Sequence, residues 1–261
     1  MYQLIDKVKE INPLVLHYTN EVTINDCANI TLALGASPLM SYSYEEVEEI
    51  VSIANSVVIN MGTMNSNYLD LFIKAGKAAN KYNRPVVLDP VGVFATKTRS
   101  DFINKLLNEV KFSVIKGNAA EIKYIGGFNV RGKGVDSFDD EENTEEIIKS
   151  VGRKLGCVVV ATGKTDILSD GDKIIKIYNG TPKLKGISGT GCMTASLIGS
   201  YLGCTDNSLE AAAMGVITMS LSGEIIDKED IALGSFRVKL MDTVYKLTKE
   251  IIEHKGKVEM I

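Results

Sequence analysis

Val86-Val87-Leu88-Asp89-Pro90-Val91-Gly92 is the stretch from which the fold can be read. Its apolar run reads as a strand buried on both faces, and Pro90, with no N–H for a ladder, stops the sheet just after a carboxylate. Working outward, similar runs rich in branched residues stand at Leu14-Val15-Leu16, Val57-Val58-Ile59, Ser113-Val114-Ile115 and Val158-Val159-Val160. Between the runs, helical spacing fills about 23 to 34, 45 to 54, 66 to 82, 99 to 109 and 144 to 155. Strand and helix in alternation predict an α/β fold with a mostly parallel central sheet, flanked by helices on both faces. Residues 191 to 254 continue almost entirely in helical pattern, a helical C-terminal segment in which Ala211-Ala212-Ala213-Met214-Gly215 suits close helix packing.

Local signals add detail. Thr23 is placed to cap the first of these helices, with Asp26 favouring its positive end and Gly35 its stop. Asp170-Gly171, between Asp166-Ile167-Leu168-Ser169 and Lys173-Ile174-Ile175-Lys176-Ile177, predicts a two-residue hairpin and hence an antiparallel edge. Residues 129 to 143, with the acidic run Asp139-Asp140-Glu141-Glu142, read as a solvated loop. No repeat or linker interrupts the 261 residues, so a single domain over 1–261 is expected.

Composition narrows the function. Lys+Arg 29 against Asp+Glu 33 leave a net charge of -4, with no attraction for nucleic acid or an anionic membrane. A small-molecule partner fits better. Charges interrupt Met1-Tyr2-Gln3-Leu4-Ile5-Asp6-Lys7 where a signal peptide needs apolar residues, and no later run reads as a bilayer span, so a cytoplasmic location is expected. Cys27, Cys157, Cys192 and Cys204 lack zinc-ligand spacing and read as thiols, and His17 with His254 cannot build an imidazole site. Any metal is expected on oxygen ligands.

In open parallel sheets, ligands bind beyond the carboxyl ends of the strands. Ser188-Gly189-Thr190-Gly191-Cys192 precedes a helix-like run, so its amides and the helix dipole form a candidate anion hole, although a lone Gly-x-Gly is more often only a tight turn. It matches neither the P-loop nor the dinucleotide-fold glycine spacing. Asp89 ends a strand and can serve magnesium through water or cap a turn. Ile115-Lys116-Gly117-Asn118-Ala119-Ala120-Glu121 ends the next strand, offering a cation and a second carboxylate that fits a capping box equally well. Thr162-Gly163 closes another strand, suited to a phosphate or to an ordinary turn. Together these groups describe a site for magnesium and polyphosphate, the needs of phosphoryl transfer.

At this point the chain resembles the hydroxyethylthiazole kinases, the thiamine-salvage members of the ribokinase-like fold. The likeness runs through Tyr18-Thr19-Asn20-Glu21-Val22-Thr23-Ile24-Asn25, Ala28-Asn29, Leu32-Ala33-Leu34-Gly35-Ala36-Ser37-Pro38-Leu39-Met40 and Asn60-Met61-Gly62-Thr63. It continues through Leu88-Asp89-Pro90-Val91-Gly92, Gly117-Asn118-Ala119-Ala120-Glu121, Lys133-Gly134-Val135-Asp136, Gly189-Thr190-Gly191-Cys192 and Gly234-Ser235-Phe236. The resemblance implies transfer of the ATP γ-phosphoryl group to the hydroxyl of 4-methyl-5-(2-hydroxyethyl)thiazole, with ATP and Mg2+ as cofactors, in a homotrimer whose thiazole pocket lies at a subunit boundary. By the same resemblance Met40 and Gly189 contact the thiazole, Asn25 helps line its pocket, Lys116 and Thr162 contact ATP, and Asp89 and Glu121 serve magnesium and phosphate. Gly189, Thr190, Gly191 and Cys192 form the catalytic turn. Cys192 stands where most ribokinase-like enzymes place a catalytic Asp. A helix start lowers a thiol pKa, so partial thiolate and a base role are expected, beside the plainer role of shaping the pocket.

Two residues depart from the family pattern: Lys116 stands where Arg is usual, replacing a two-point phosphate grip by a point charge, and Phe94 stands where Gly is common. Three rivals remain. One is a ribokinase-like kinase for another alcohol such as hydroxymethylpyrimidine; the others are a thiol hydrolase using Cys192 and a non-catalytic ligand sensor.

Overall fold

The computed structural model describes residues 1–128 and 141–261, the side chains of 141–143 excepted. Lys133-Gly134-Val135-Asp136 and most of the stretch read as a solvated loop lie outside the described residues. Among the described residues nine strands form one sheet: β1 (Leu14–Tyr18), β2 (Ser37–Met40), β3 (Ser56–Asn60), β4 (Val86–Asp89), β5 (Val114–Asn118), β6 (Val158–Thr162), β7 (Asp166–Ser169), β8 (Ile174–Ile177) and β9 (Val258–Met260). Their order is β2-β1-β3-β4-β5-β6-β7-β8-β9, parallel from β2 to β6 and antiparallel from there to β9. Eleven α-helices are described: α1 (Leu4–Ile11), α2 (Ile24–Leu34), α3 (Val47–Ile53), α4 (Tyr68–Lys81), α5 (Lys97–Glu109), α6 (Ala119–Gly126), α7 (Glu141–Leu155), α8 (Thr190–Leu202), α9 (Ser208–Ile226), α10 (Leu233–Lys246) and α11 (Lys249–Lys255).

The apolar runs are buried on both faces because successive side chains of a strand point to opposite sides. Val15, Val58, Val87, Val114 and Val158 join one core layer with α1, α2, α8, α9 and α10. Leu16, Val57, Ile59, Leu88, Ile115 and Val159 join the other with α3 to α7. The small run on α9 does what its residues suggested: a Cβ built on Gly215 would stand 2.7 Å from the backbone nitrogen of Ile198, so α8 and α9 touch backbone to backbone.

Several expectations are corrected. Thr23 is the residue before α2 but its side chain makes no cap bond; its hydroxyl instead accepts from Cys27 Sγ at 3.8 Å. The hairpin loop spans four residues, not two, because Ser169 is aligned with Ile174. Asp170 Oδ1 accepts from the amides of Asp172 and Lys173, and this turn bonding lengthens the loop. By length and composition α9 would cross a membrane, contrary to the expectation that no run reads as a span. With 83% of its apolar window buried under neighbouring elements, it is a core helix. The unread elements were α1, the short edge strand β2 that opens Ser37-Pro38, and the three-residue β9. A proline is tolerated at such an edge because one side of the strand needs no donor.

Candidate active site

The parallel strands all deliver their carboxyl ends to one rim. Register sets Asn60 opposite Asp89 and Asn118 opposite Thr162, so β3, β4, β5 and β6 present their last residues side by side. Arg99 on α5 ties the rim together from below, donating to the carbonyls of Met61 at 3.1 Å, Val91 at 2.8 Å and Gly62 at 2.9 Å. The loops after β3 and β4 are thereby fixed relative to each other.

At the centre, Lys116 Nζ stands 3.5 Å from Asp89 Oδ1, both side chains 5% exposed or less. Asp89 Oδ2 accepts from Asn60 Nδ2 at 2.7 Å, whereas Oδ1 receives no hydrogen bond from the described residues. Glu121 lies beside the pair. Its Oε1 accepts from Gly92 N and its Oε2 from Asn118 N, both at 2.8 Å, while Asn118 Oδ1 accepts from Glu121 N, so the capping box is formed. The cap leaves each carboxylate oxygen a second lone pair, which a ligand can use.

The electrostatics follow from burial. Burial works to lower the Lys116 pKa, but Asp89, Glu121 and Cys192 outweigh it and hold the ammonium above its ordinary range. Burial, then the Asp89 charge, pushes Glu121 up, with Gly92 and Lys116 opposing. Burial pushes Asp89 up as well, with Lys116 and Asn60 opposing, and its Oδ1 has a free lone pair. That combination fits a cation completed by water and phosphate oxygens. Among the described residues no three His, Cys or acidic side chains form a preformed metal cage.

The glycine turn closes the site from the other side. Gly189 has φ +86, a conformation natural only to glycine, and its Cα is pressed against the Thr23 side chain. α8 begins at the next residue, with Met193 N already bonded to Gly189 O at 2.8 Å. A Cβ on Gly191 would lie 2.9 Å from Lys116 Nζ, so the ammonium packs against this turn. Thr190 uses its hydroxyl structurally, donating to Leu184 O at 3.1 Å. Cys192 Sγ accepts from Asn20 Nδ2 at 3.3 Å, and Asn20 Nδ2 also reaches Asn60 Oδ1 at 2.9 Å. A line of polar groups thus runs from Cys192 through two carboxamides to Asp89.

The expected partial thiolate is corrected. Burial and the Asp89 charge raise the Cys192 pKa, against Lys116, Thr23 and Asn60. The thiol form prevails at neutral pH because desolvation outweighs the helix start. His17 is no partner for it: its Nδ1 is bonded to Val15 O at 3.0 Å and burial lowers its pKa to about 4.

Asp89, Lys116, Glu121, Gly189, Gly191 and Cys192 are brought together. Thr162 ends β6 on the same rim, its hydroxyl donating to Gly117 O at 3.2 Å. Met40 ends β2, half-buried and aligned with His17, at the far end of the rim. Asn25 stands apart, exposed on α2, its side chain accepting from Asn29 at 2.9 Å beside a groove shared with Arg237, Val238 and Met241 of α10. Phe94 is 40% exposed and meets Tyr124 with ring centroids 6.3 Å apart, next to the Gly92–Glu121 contact. Asn20 and Asn60 were missed by sequence reading, although the rule of inspecting every strand end, applied to β1 and β3, points to both.

The profile of the hydroxyethylthiazole kinase family matches residues 5–250. A hydroxyethylthiazole kinase of Clostridioides difficile (strain 630) is 66% identical over 261 residues, covering 100% of both chains. The solved hydroxyethylthiazole kinase from Pyrococcus horikoshii OT3 superposes with a TM-score of 0.92 at 36% identity, over 100% of this chain and 98% of that one. A pyridoxal kinase from Staphylococcus aureus, in complex with AMP-PCP and pyridoxal, shares the fold alone, with a TM-score of 0.67 at 14% identity over 95% and 98% of the two chains. The architecture is ribokinase-like, and the chain belongs to the hydroxyethylthiazole kinase family.

Proposed function

We propose that this kinase transfers the γ-phosphoryl group of ATP to the primary hydroxyl of 4-methyl-5-(2-hydroxyethyl)thiazole, a salvage step toward thiamine, in the cytoplasm. The observation that carries the reading is the meeting of Lys116 with Asp89 against Gly191 of the glycine turn. Amides at a helix start and a buried ammonium gather charge from the oxygens of a transferring phosphoryl group. Thr162 and Lys116 contact the nucleotide phosphates, and Gly189 to Gly191 receive the charge that develops. Asp89 and Glu121 would hold Mg2+, which when bound neutralises the β- and γ-phosphate oxygens. The free Oδ1 of Asp89 supports this assignment.

Cys192 faces the acceptor hydroxyl as a neutral thiol. In a loose transition state the proton leaves late, after the attacking oxygen has become acidic, so prior ionisation of a base is not required. A hydrolase would need an imidazole beside the sulfur, where this chain has Asn20, Asn60 and Thr23.

Met40 and Asn25 would contact or line the thiazole pocket at a boundary between copies of a homotrimer. The exposed Val22, Leu32, Val238 and Tyr245 on the α2 and α10 side support a covered surface there. Sedimentation as a single 28.4 kDa species would remove this part of the reading. The central test is incubation with ATP, magnesium and a panel of primary alcohols that includes the thiazole and hydroxymethylpyrimidine. The expected products are ADP and the thiazole phosphate; turnover of another alcohol in preference would reassign the acceptor.

A further inference from the structure

Asp166 takes no part in the mechanism above, yet it is buried, with 5% exposure. It opens β7, and since Ala161 is aligned with Ile167, its backbone lies level with Thr162. One carboxylate oxygen accepts from Gly163 N at 3.0 Å and the other from Ser220 Oγ at 2.8 Å. Gly163 belongs to the turn that follows β6, and Ser220 belongs to α9. Through Gly215 and Ile198, α9 is in backbone contact with α8, and α8 starts at the glycine turn. A short chain of stiff contacts therefore leads from the Thr162-Gly163 turn to the anion-binding helix start, and a single carboxylate is its joint.

We propose that Asp166 is a positioning residue that fixes the spacing between the Thr162-Gly163 turn and the start of α8, and with it the fit of a nucleoside di- or triphosphate across the two. The proposal rests on the reading of Thr162 as a nucleotide contact. Burial pushes Asp166 up to about 6, the Gly163 and Ser220 bonds and Lys116 pulling the other way, so at neutral pH it is ionised and accepts from both donors. The Ser220 bond closes inside the core on α9, where water does not replace a lost acceptor, and the Gly163 bond ties an exposed turn to that buried anchor.

The test is calorimetric titration with ADP, no alcohol present, paired with steady-state kinetics. Asp166→Ala should weaken ADP binding about 10-fold and Ser220→Ala about 3-fold. KM for ATP should rise in step while KM for the alcohol stays within about 2-fold. Asp166→Asn, which keeps an oxygen for Gly163 N, should return ADP affinity to within about 3-fold of the parent. Unchanged ADP affinity in folded Asp166→Ala overturns the proposal, as does an equal rise of KM for both substrates. If Asp166→Ala fails to fold, intact ADP affinity in Ser220→Ala overturns it. Thr162→Val separates the two readings: ADP affinity insensitive to this change removes the nucleotide role of the turn itself, whereas a loss here without one at Asp166 removes only the brace.

Discussion

Two buried aspartates reach the same rim and are finished differently. Asp166 has both oxygens closed, one by Gly163 N and one by Ser220 Oγ. Asp89 has one oxygen bonded to Asn60, the other bare except for a lysine 3.5 Å away. Buried polar atoms are normally satisfied, so a saturated carboxylate marks a structural joint and an unsaturated one marks a place for something the protein does not supply. Residue type and depth are shared; the count of donors separates brace from ligand.

The sharpest way to break this contrast is to neutralise each carboxylate in turn. Asp89→Asn should lower kcat/KM by about 1000-fold or more, since the carboxylate proposed to hold the cation at the reacting phosphates is removed. The fold should survive, to be checked by circular dichroism melts beside the kinetics; activity within about tenfold of the parent would reassign Asp89 to structure.

Asp166→Asn should show its main effect on stability. Burial raises the folded pKa from 3.8 to about 6, so the native state holds this proton more tightly than the unfolded chain. The resulting stability is present below about pH 4 and lost as pH rises through about 6. The variant escapes that loss and should be more stable above pH 6, by up to about 2 kcal/mol once a weakened hydrogen bond is subtracted, converging with the parent toward pH 4. Denaturant titrations at a series of pH values test the sign, and a variant that is less stable at pH 8 would contradict it.

The smallest effect is expected from Cys192→Asp, which sets a further carboxylate beside Asp89. Because the proton departs late, activity should stay within about tenfold of the parent, with a steeper dependence on magnesium as negative charge accumulates. Complete loss would mean that the thiol itself is needed.

Much of this was legible before any coordinates. Branched runs located five strands within a residue or two at their starts, and the strand-end rule led to Asp89, Lys116, Glu121 and Thr162. Asn118 and Glu121 announced their capping box by spacing alone. What escaped depended on distance in the chain. Asn20 and Asn60 stand in the family-like segments with no role assigned until the sheet sets them 2.9 Å apart across 40 positions. Asp166 read as the flank of a hairpin because its partner Ser220 lies 54 residues on. The Cys192 pKa was misjudged in direction because a helix start is visible in sequence and desolvation is not.

The rim has one more consequence. Its groups come from positions as distant as Asn20 and Cys192, 172 apart, and from four adjacent strands. The set is complete only when the chain from Asn20 to Cys192 is joined, so a polypeptide that stops before the glycine turn of α8 lacks one wall of the cleft. Capture of ATP is thereby a readout of completed folding, and the ligand seals the assembly of which it is the last member.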